Sequence, residues 1–385
     1  MPLALYLDST PRAGMGVAEA DQGKAMDSFE IVQRLEDQRL AIIEDTINQA
    51  MREPFWVQRY GEGIHVRLKL DLDRNFGVLI QSIRYRSPMI FEDHTRWRRD
   101  QIRGFGCSTG HIREMYGNLW RAITRHVPEQ WHSFIFGYMQ TALEKLAFAD
   151  ATARAVAEQQ NLLAEDLARA TFDRHWHWQA AYRADGRARL VYECWYLIDY
   201  LVDALGVRSA TTLGQHVQWQ RDAWIRRGLC TGHMQHVLWL LGEALSARLA
   251  PGQAQEARNA LAEVEGALAY QRESCQALQS IQDELIEQTA ERLMAAGVAP
   301  GGEETTTEVS WYIAYLLDSM AAGAADPLVN YTRWMQHWLA HQGLPDSPLR
   351  LSYEALGEAI TRLAPDYAAH EALAVLQVAH RALST

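Results

Sequence analysis

The sequence predicts an all-α protein made of three tandem copies of one helical unit of about 115–120 residues. Three observations predict it. Apolar residues recur at helical spacing, almost no segment alternates with the period of a strand, and one tryptophan–glycine stretch occurs three times. A length of 385 residues exceeds one ordinary core and suits two or three domains.

In chain order, residues 1–26 are rich in Gly and Ala and read as a loosely packed tail. The copies then span 27–148, 149–270 and 271–385. Each is expected to hold about five main helices. Leu40, Ile43, Ile47 and Ala50 step by three or four, as do Trp195, Ile198, Leu201 and Val202. HVRLKLDLD (65–73) alternates with period two and is the one segment that also reads as a strand. The repeated stretch is DHTRWRRDQIRGFG (93–106), QHVQWQRDAWIRRG (215–228) and NYTRWMQHWLAHQG (330–343), with Trp97, Trp219 and Trp334 each nine residues before a glycine. The tryptophans lie 122 and 115 residues apart. Thr109, Thr231 and Asp346 follow those glycines where a helix N-cap belongs. Pro128, Pro251 and Pro365 then punctuate the closing helices, where proline at the first turn costs nothing. Upstream, CWYLIDYLVDAL (194–205) matches SWYIAYLLDSM (310–320), while the first copy has diverged to NFGVLIQSI (75–83). Copies one and two also share Trp56 with Tyr60 and Trp178 with Tyr182.

Composition narrows the function. Net charge is -11 with no Lys/Arg-rich run, which argues against nucleic acid. The longest apolar stretch, near Trp195–Val207, is broken by Asp199 and Asp203, so no membrane span is expected. The N-terminus lacks a basic region before Asp8 and Pro11 and does not read as a signal peptide. Four cysteines without CxxC spacing fit a reducing compartment, and a cytoplasmic location is expected.

The residues WYxxxYLxDxL, the Trp…Gly stretch, LxxxYEALGEAI and a Pro-led last helix resemble the non-haem sensor globins at the N-termini of stressosome-type regulators. The resemblance is clearest over 304–383, fair over 190–270 and weaker over 30–148. It implies globin-like units used for sensing or for binding a small molecule, often with the haem site lost. The chain departs from that family in carrying three such units and no recognisable output module.

His94, His216 and Tyr331 stand three residues before the repeat tryptophans. Both residue types can ligate haem iron, so these positions with Trp97, Trp219 and Trp334 are candidate ligand contacts. The competing account is a buried aromatic seam, because Phe91/His94/Trp97 and their counterparts step by three along one stripe. Trp195 and Trp311 would add to an aromatic cleft for a flat ligand. Cys107 and Cys230 sit in C-S-T-G-H and C-T-G-H turns, where a helix N-terminus favours a reactive thiolate or a bilin attachment point. Thr, Gly and His as an ordinary helix start account for the same turns. His126, Glu129 and His132 (HxxExxH) straddle Pro128, and His175 and His177 face different sides of a helix, so neither set reads as a metal site. Motifs for dinucleotide, P-loop, nucleophile-elbow or zincin chemistry are not found in the sequence. The expectation is therefore a non-enzymatic protein binding a small hydrophobic or tetrapyrrole ligand, haem or bilin, with a protein partner for output. The alternatives are an interaction scaffold with packed interiors, or a metal-dependent enzyme using clustered His and Glu.

Overall fold

A computed structural model describes residues 28–174, 178–179, 186–297 and 303–383. The tail 1–26, the His175/His177 pair and Tyr182 lie outside the described residues. The described residues form an all-helical structure with no strand among them, and among them no helix is long and apolar enough to cross a membrane. In chain order the helices are α1 (Ser28–Asp37), α2 (Arg39–Ala50), α3 (Phe55–Tyr60), α4 (Ile64–Arg84), α5 (Pro88–Ile102), α6 (Thr109–His126), α7 (His132–Glu144), α8 (Ala151–Arg174) and α9 (Gly186–Val207). They continue as α10 (Thr211–Ile225), α11 (Thr231–Arg248), α12 (Pro251–Glu265), α13 (Glu273–Ser280), α14 (Gln282–Ala295), α15 (Glu303–Ala322), α16 (Asp326–His341), α17 (Ser347–Leu363) and α18 (Asp366–Ala382).

The segment 65–73 is helix, inside α4. Its buried residues Ile64, Leu68, Leu72, Phe76, Leu79 and Ile83 step by three or four, and this stripe overrides the local period of two. The N-caps also fall one residue earlier than the threonines suggest. Ser108, in extended backbone, caps α6 through a capping box with His111, and Thr109 is its first helical residue.

The chain divides into two compact units, one of Met1–Asp166, Leu190–His216 and Leu245–Ala260, the other of Leu167–Arg189, Val217–Ala244 and Leu261–Thr385. In the first, α2 packs on α6, α5 on both α4 and α7, and α1 on α4, around a core running from Ile31 to Leu146. In the second, α14 packs on α17, α15 on α16, and α18 on α16 and α17, around Leu285, Ile313, Leu316, Leu356 and Ile360. Residues at the 122- and 115-residue offsets share backbone conformation. Arg86, Arg208 and Gly323 close α4, α9 and α15 with φ of 51°, 54° and 65°. Gly106, Gly228 and Gly343 turn the chain with φ of 70°, 92° and 70°, the left-handed region where only glycine is unstrained. Pairing also recurs: Thr95 bonds Tyr116 at 3.0 Å, and Thr332 bonds Tyr353 at 2.6 Å.

Candidate functional site

The C-S-T-G-H and C-T-G-H turns each seat on a helix from far along the chain. In the first unit, the N–H of Thr109 donates to Asp203 Oδ2 at 2.8 Å and that of Gly110 to Asp199 Oδ2 at 2.5 Å. Arg113 adds an ion pair to Asp199 at 2.8 Å, and the Tyr200 hydroxyl donates to the carbonyl of Gly106 at 2.8 Å. In the second unit, the N–H of Thr231 donates to Asp318 Oδ2 at 2.7 Å and its hydroxyl to Oδ1 at 2.6 Å. The Tyr270 hydroxyl reaches the same carboxylate at 2.9 Å, and Tyr315 donates to the carbonyl of Gly228 at 2.7 Å. The first N–H groups of a helix lack intrahelical partners and carry partial positive charge, so a buried carboxylate from another helix satisfies both needs.

The histidine of each turn is a structural plug. The N–H of Ser108 donates to His111 Nδ1, and that of Cys230 to His233 Nδ1, both at 3.1 Å. Such an acceptor leaves the ring proton on Nε2 and the imidazole neutral. Burial, helped by nearby Arg59, pushes the His111 pKa down to about 3. Each ring lies between aromatic partners. Trp56 meets His111 edge-on at 5.4 Å and Tyr196 lies 4.4 Å away, while Trp178 meets His233 edge-on at 5.4 Å and Trp311 stacks on it at 4.2 Å. A constant offset of 115 therefore pairs Trp311 with Tyr196, whereas matching the two WY dipeptides pairs it with Trp195. Trp195 instead donates Nε1 to Asn161 at 3.0 Å.

Glycine follows threonine because a Cβ would collide at the first turn and be tightly crowded at the second. A Cβ on Gly110 would lie 2.6 Å from Asp199 Oδ2 and 2.8 Å from Trp195 Cζ3. On Gly232 it would lie 3.0 Å from Ala314 Cβ and 3.2 Å from Trp311 Cζ3. Gly110→Ala is expected to cost about 2–3 kcal/mol and Gly232→Ala about 1 kcal/mol by denaturant titration. Gly137→Ala, exposed on α7 with open space around it, should gain a few tenths of a kcal/mol.

Neither cysteine has the surroundings of a reactive thiol. Cys107 is buried with its sulfur 2.9 Å from the Tyr60 hydroxyl, and burial pushes its pKa up to about 11. Cys230 is buried 3.1 Å from His233 Nδ1, and burial beside Asp318 raises its pKa well above the usual thiol range. Ser108 fills the Cys230 position in the first turn with the same contact to histidine, at 3.0 Å. Small size and a polar tip are what this position uses.

The three positions before the repeat tryptophans are occupied differently. His94 is half-buried, its Nε2 2.6 Å from Asn75 Oδ1, and burial with Arg98 and Arg74 lowers its pKa to about 4. His216 is buried and stacks on Tyr200 with centroids 3.9 Å apart. Tyr331 is buried and stacks on Tyr315 at 4.2 Å, with Trp334 6.3 Å away. The expected aromatic seam is incomplete: Trp97 is 43% exposed, and Trp219 and Trp334 are partly buried. In HxxExxH, His132 meets the carbonyl of Val127 at 2.9 Å and His126 faces Asp45 at 3.6 Å, so the residues do not converge. Among the described residues no group of three His, Cys, Asp or Glu could hold a metal. The helix-seated turns were detectable in the sequence as TGH triplets, but their acceptors, 94 and 87 residues away, carry no local signal. Compared with protein-family models, characterised proteins and solved structures, the chain matches none.

Proposed function

We propose that the chain is an array of three helical copies joined by turn-on-helix joints, and that it acts as a protein-interaction scaffold with packed interiors. One observation carries this reading. At two of the three positions expected to contact a ligand, rings already stack at 3.9 and 4.2 Å, one ring thickness. A tetrapyrrole seated between them would need about twice that separation, because each stacked face requires ~3.5 Å or more. The joints explain which copies carry which signature. Copies one and two bear the TGH turn, and copies two and three bear the Tyr-x-x-Asp helix that receives it (Tyr200/Asp203 and Tyr315/Asp318).

A 250–750 nm spectrum with metal analysis on the purified protein tests this against the sensor-globin alternative. The expected result is no band above 300 nm and no stoichiometric metal. His216→Ala should then lower stability by about 2–3 kcal/mol while leaving the spectrum unchanged. A Soret or red bilin-type band that His216→Ala or His94→Ala removes would sink the scaffold reading in favour of a tetrapyrrole carrier.

A further inference from the structure

The joint positions that are filled within the chain have counterparts that stand open. Leu344, in the third copy's turn, sits at the offset position of Leu229 and Cys107. Leu229 and Cys107 are 1% and 2% exposed, whereas Leu344 is 51% exposed. On the receiving side, the offset of 122 maps Tyr192, Tyr196 and Asp199 of α9 onto Leu70, Arg74 and Gly77 of α4. Tyr192 and Tyr196 bond Glu114 and Asp199 bonds Gly110, yet Leu70 is 67% exposed, with Val66 one turn earlier at 64%. The chemistry of this open pair is reversed. The third turn has Asp346, paired with Arg350 at 3.2 Å, where the second has Thr231, and α4 has Arg74, exposed, where α9 has Tyr196; the guanidinium of Arg39 beside Gly77 is already paired with Asp73 and Glu36. Whole-copy charge follows suit. Residues 27–148 hold 17 Lys/Arg against 16 Asp/Glu, and residues 271–385 hold 6 against 15.

We propose that the third-copy turn of one molecule seats on α4 of the first copy of a second molecule, a head-to-tail contact of this chain with itself. Leu344 would cover Leu70, and Asp346 would face Arg74. The inference rests on the array reading above, since it takes the internal joints as the template for the external one. Contact between two different patches propagates into chains, or into a ring where the rotation closes. Opposite charge on the two copies makes the association salt-sensitive.

Sedimentation velocity on the full chain across a concentration series, at low and high salt, tests this. The expected result is concentration-dependent association that high salt weakens. Leu70→Asp and Leu344→Asp should each abolish it while circular dichroism stays that of the parent, because both side chains are exposed. Arg74→Glu should weaken it about ten-fold, and adding Asp346→Arg in the same chain should restore it. A monomer at every concentration, or association indifferent to both leucine variants, overturns the proposal. If that monomer still loses stability on Gly110→Ala, only the external contact has failed. Indifference to Gly110→Ala overturns the array reading beneath it.

Discussion

Asp318→Ala is expected to lower the stability of the second unit by about 3–5 kcal/mol, among the largest effects of any single substitution here. The carboxylate is 5% exposed and accepts from three donors, the N–H and hydroxyl of Thr231 and the hydroxyl of Tyr270. Alanine leaves all three buried without an acceptor, at about 1–3 kcal/mol each before relaxation. Asp318→Asn keeps one acceptor oxygen for the Thr231 N–H and should cost less, about 1–2 kcal/mol. Asp166→Ala breaks a half-exposed pair with Arg248 and should cost under about 0.5 kcal/mol. Denaturant titration of the three variants orders them. Equal losses for Asp318→Ala and Asp166→Ala would mean that the buried carboxylate does not hold the Thr231 turn.

The helical class was legible because it follows from side-chain period, and the buried stripe of α4 shows how far that logic reaches. HVRLKLDLD looks two-fold over nine residues, but Ile64 to Ile83 is three- and four-fold over twenty, and the longer window decides. Helix starts were legible to within one residue. Threonine caps well and points to Thr109, while the capping box selects Ser108, whose histidine partner lies three residues on. The site was half legible. TGH stood out in two copies and its absence from the third was visible, but the cause lay in Asp203 and Asp318, which look like solvent-facing charges that interrupt an apolar helix. Nothing local distinguishes a buried, satisfied aspartate from an exposed one.

The same limit explains the aromatic positions. Three-residue spacing correctly placed His216 and Tyr331 toward the interior, yet it could not say whether that interior holds a ligand or another ring. Tyr200 and Tyr315 are the rings stacked on them, and both also close the neighbouring joint through their hydroxyls. One tyrosine thus packs on a ring of the following helix and clamps the turn before it. The same double duty would make the aromatic content architectural: Trp56, Trp178 and Trp311 surround the turn histidines.

The two joints differ in charge: the first turn seats on Asp199 and Asp203 and the second on Asp318, and burial raises the carboxyl pKa of Asp203 and Asp318 alike. Asp203 and Asp199 approach the same turn from one helix face, and only Asp199 has an arginine partner. Burial first, and the neighbouring Asp199 charge second, push the Asp203 pKa up to about 7, against the opposing pull of the Thr109 bonds. A carboxyl raised in the folded state binds its proton more tightly there than in the unfolded chain, where it titrates near 3.9. Its contribution is thus fully present below about pH 4 and is lost as pH rises through about 7. His94 and His111, lowered to about 4 and 3, act in the opposite sense: their contribution is present above about 6.5 and lost as pH falls. Parent stability alone therefore mixes the two. The difference between the parent and Asp203→Asn isolates the carboxyl, because the amide oxygen still accepts from the Thr109 N–H and carries no charge at any pH. Between pH 5 and 8 the parent should lose about 2 kcal/mol relative to Asp203→Asn, seen as converging or crossing midpoints in denaturant titrations at each pH. A constant difference across that range would place the Asp203 carboxylate, ionised throughout, in surroundings far more polar than its burial implies.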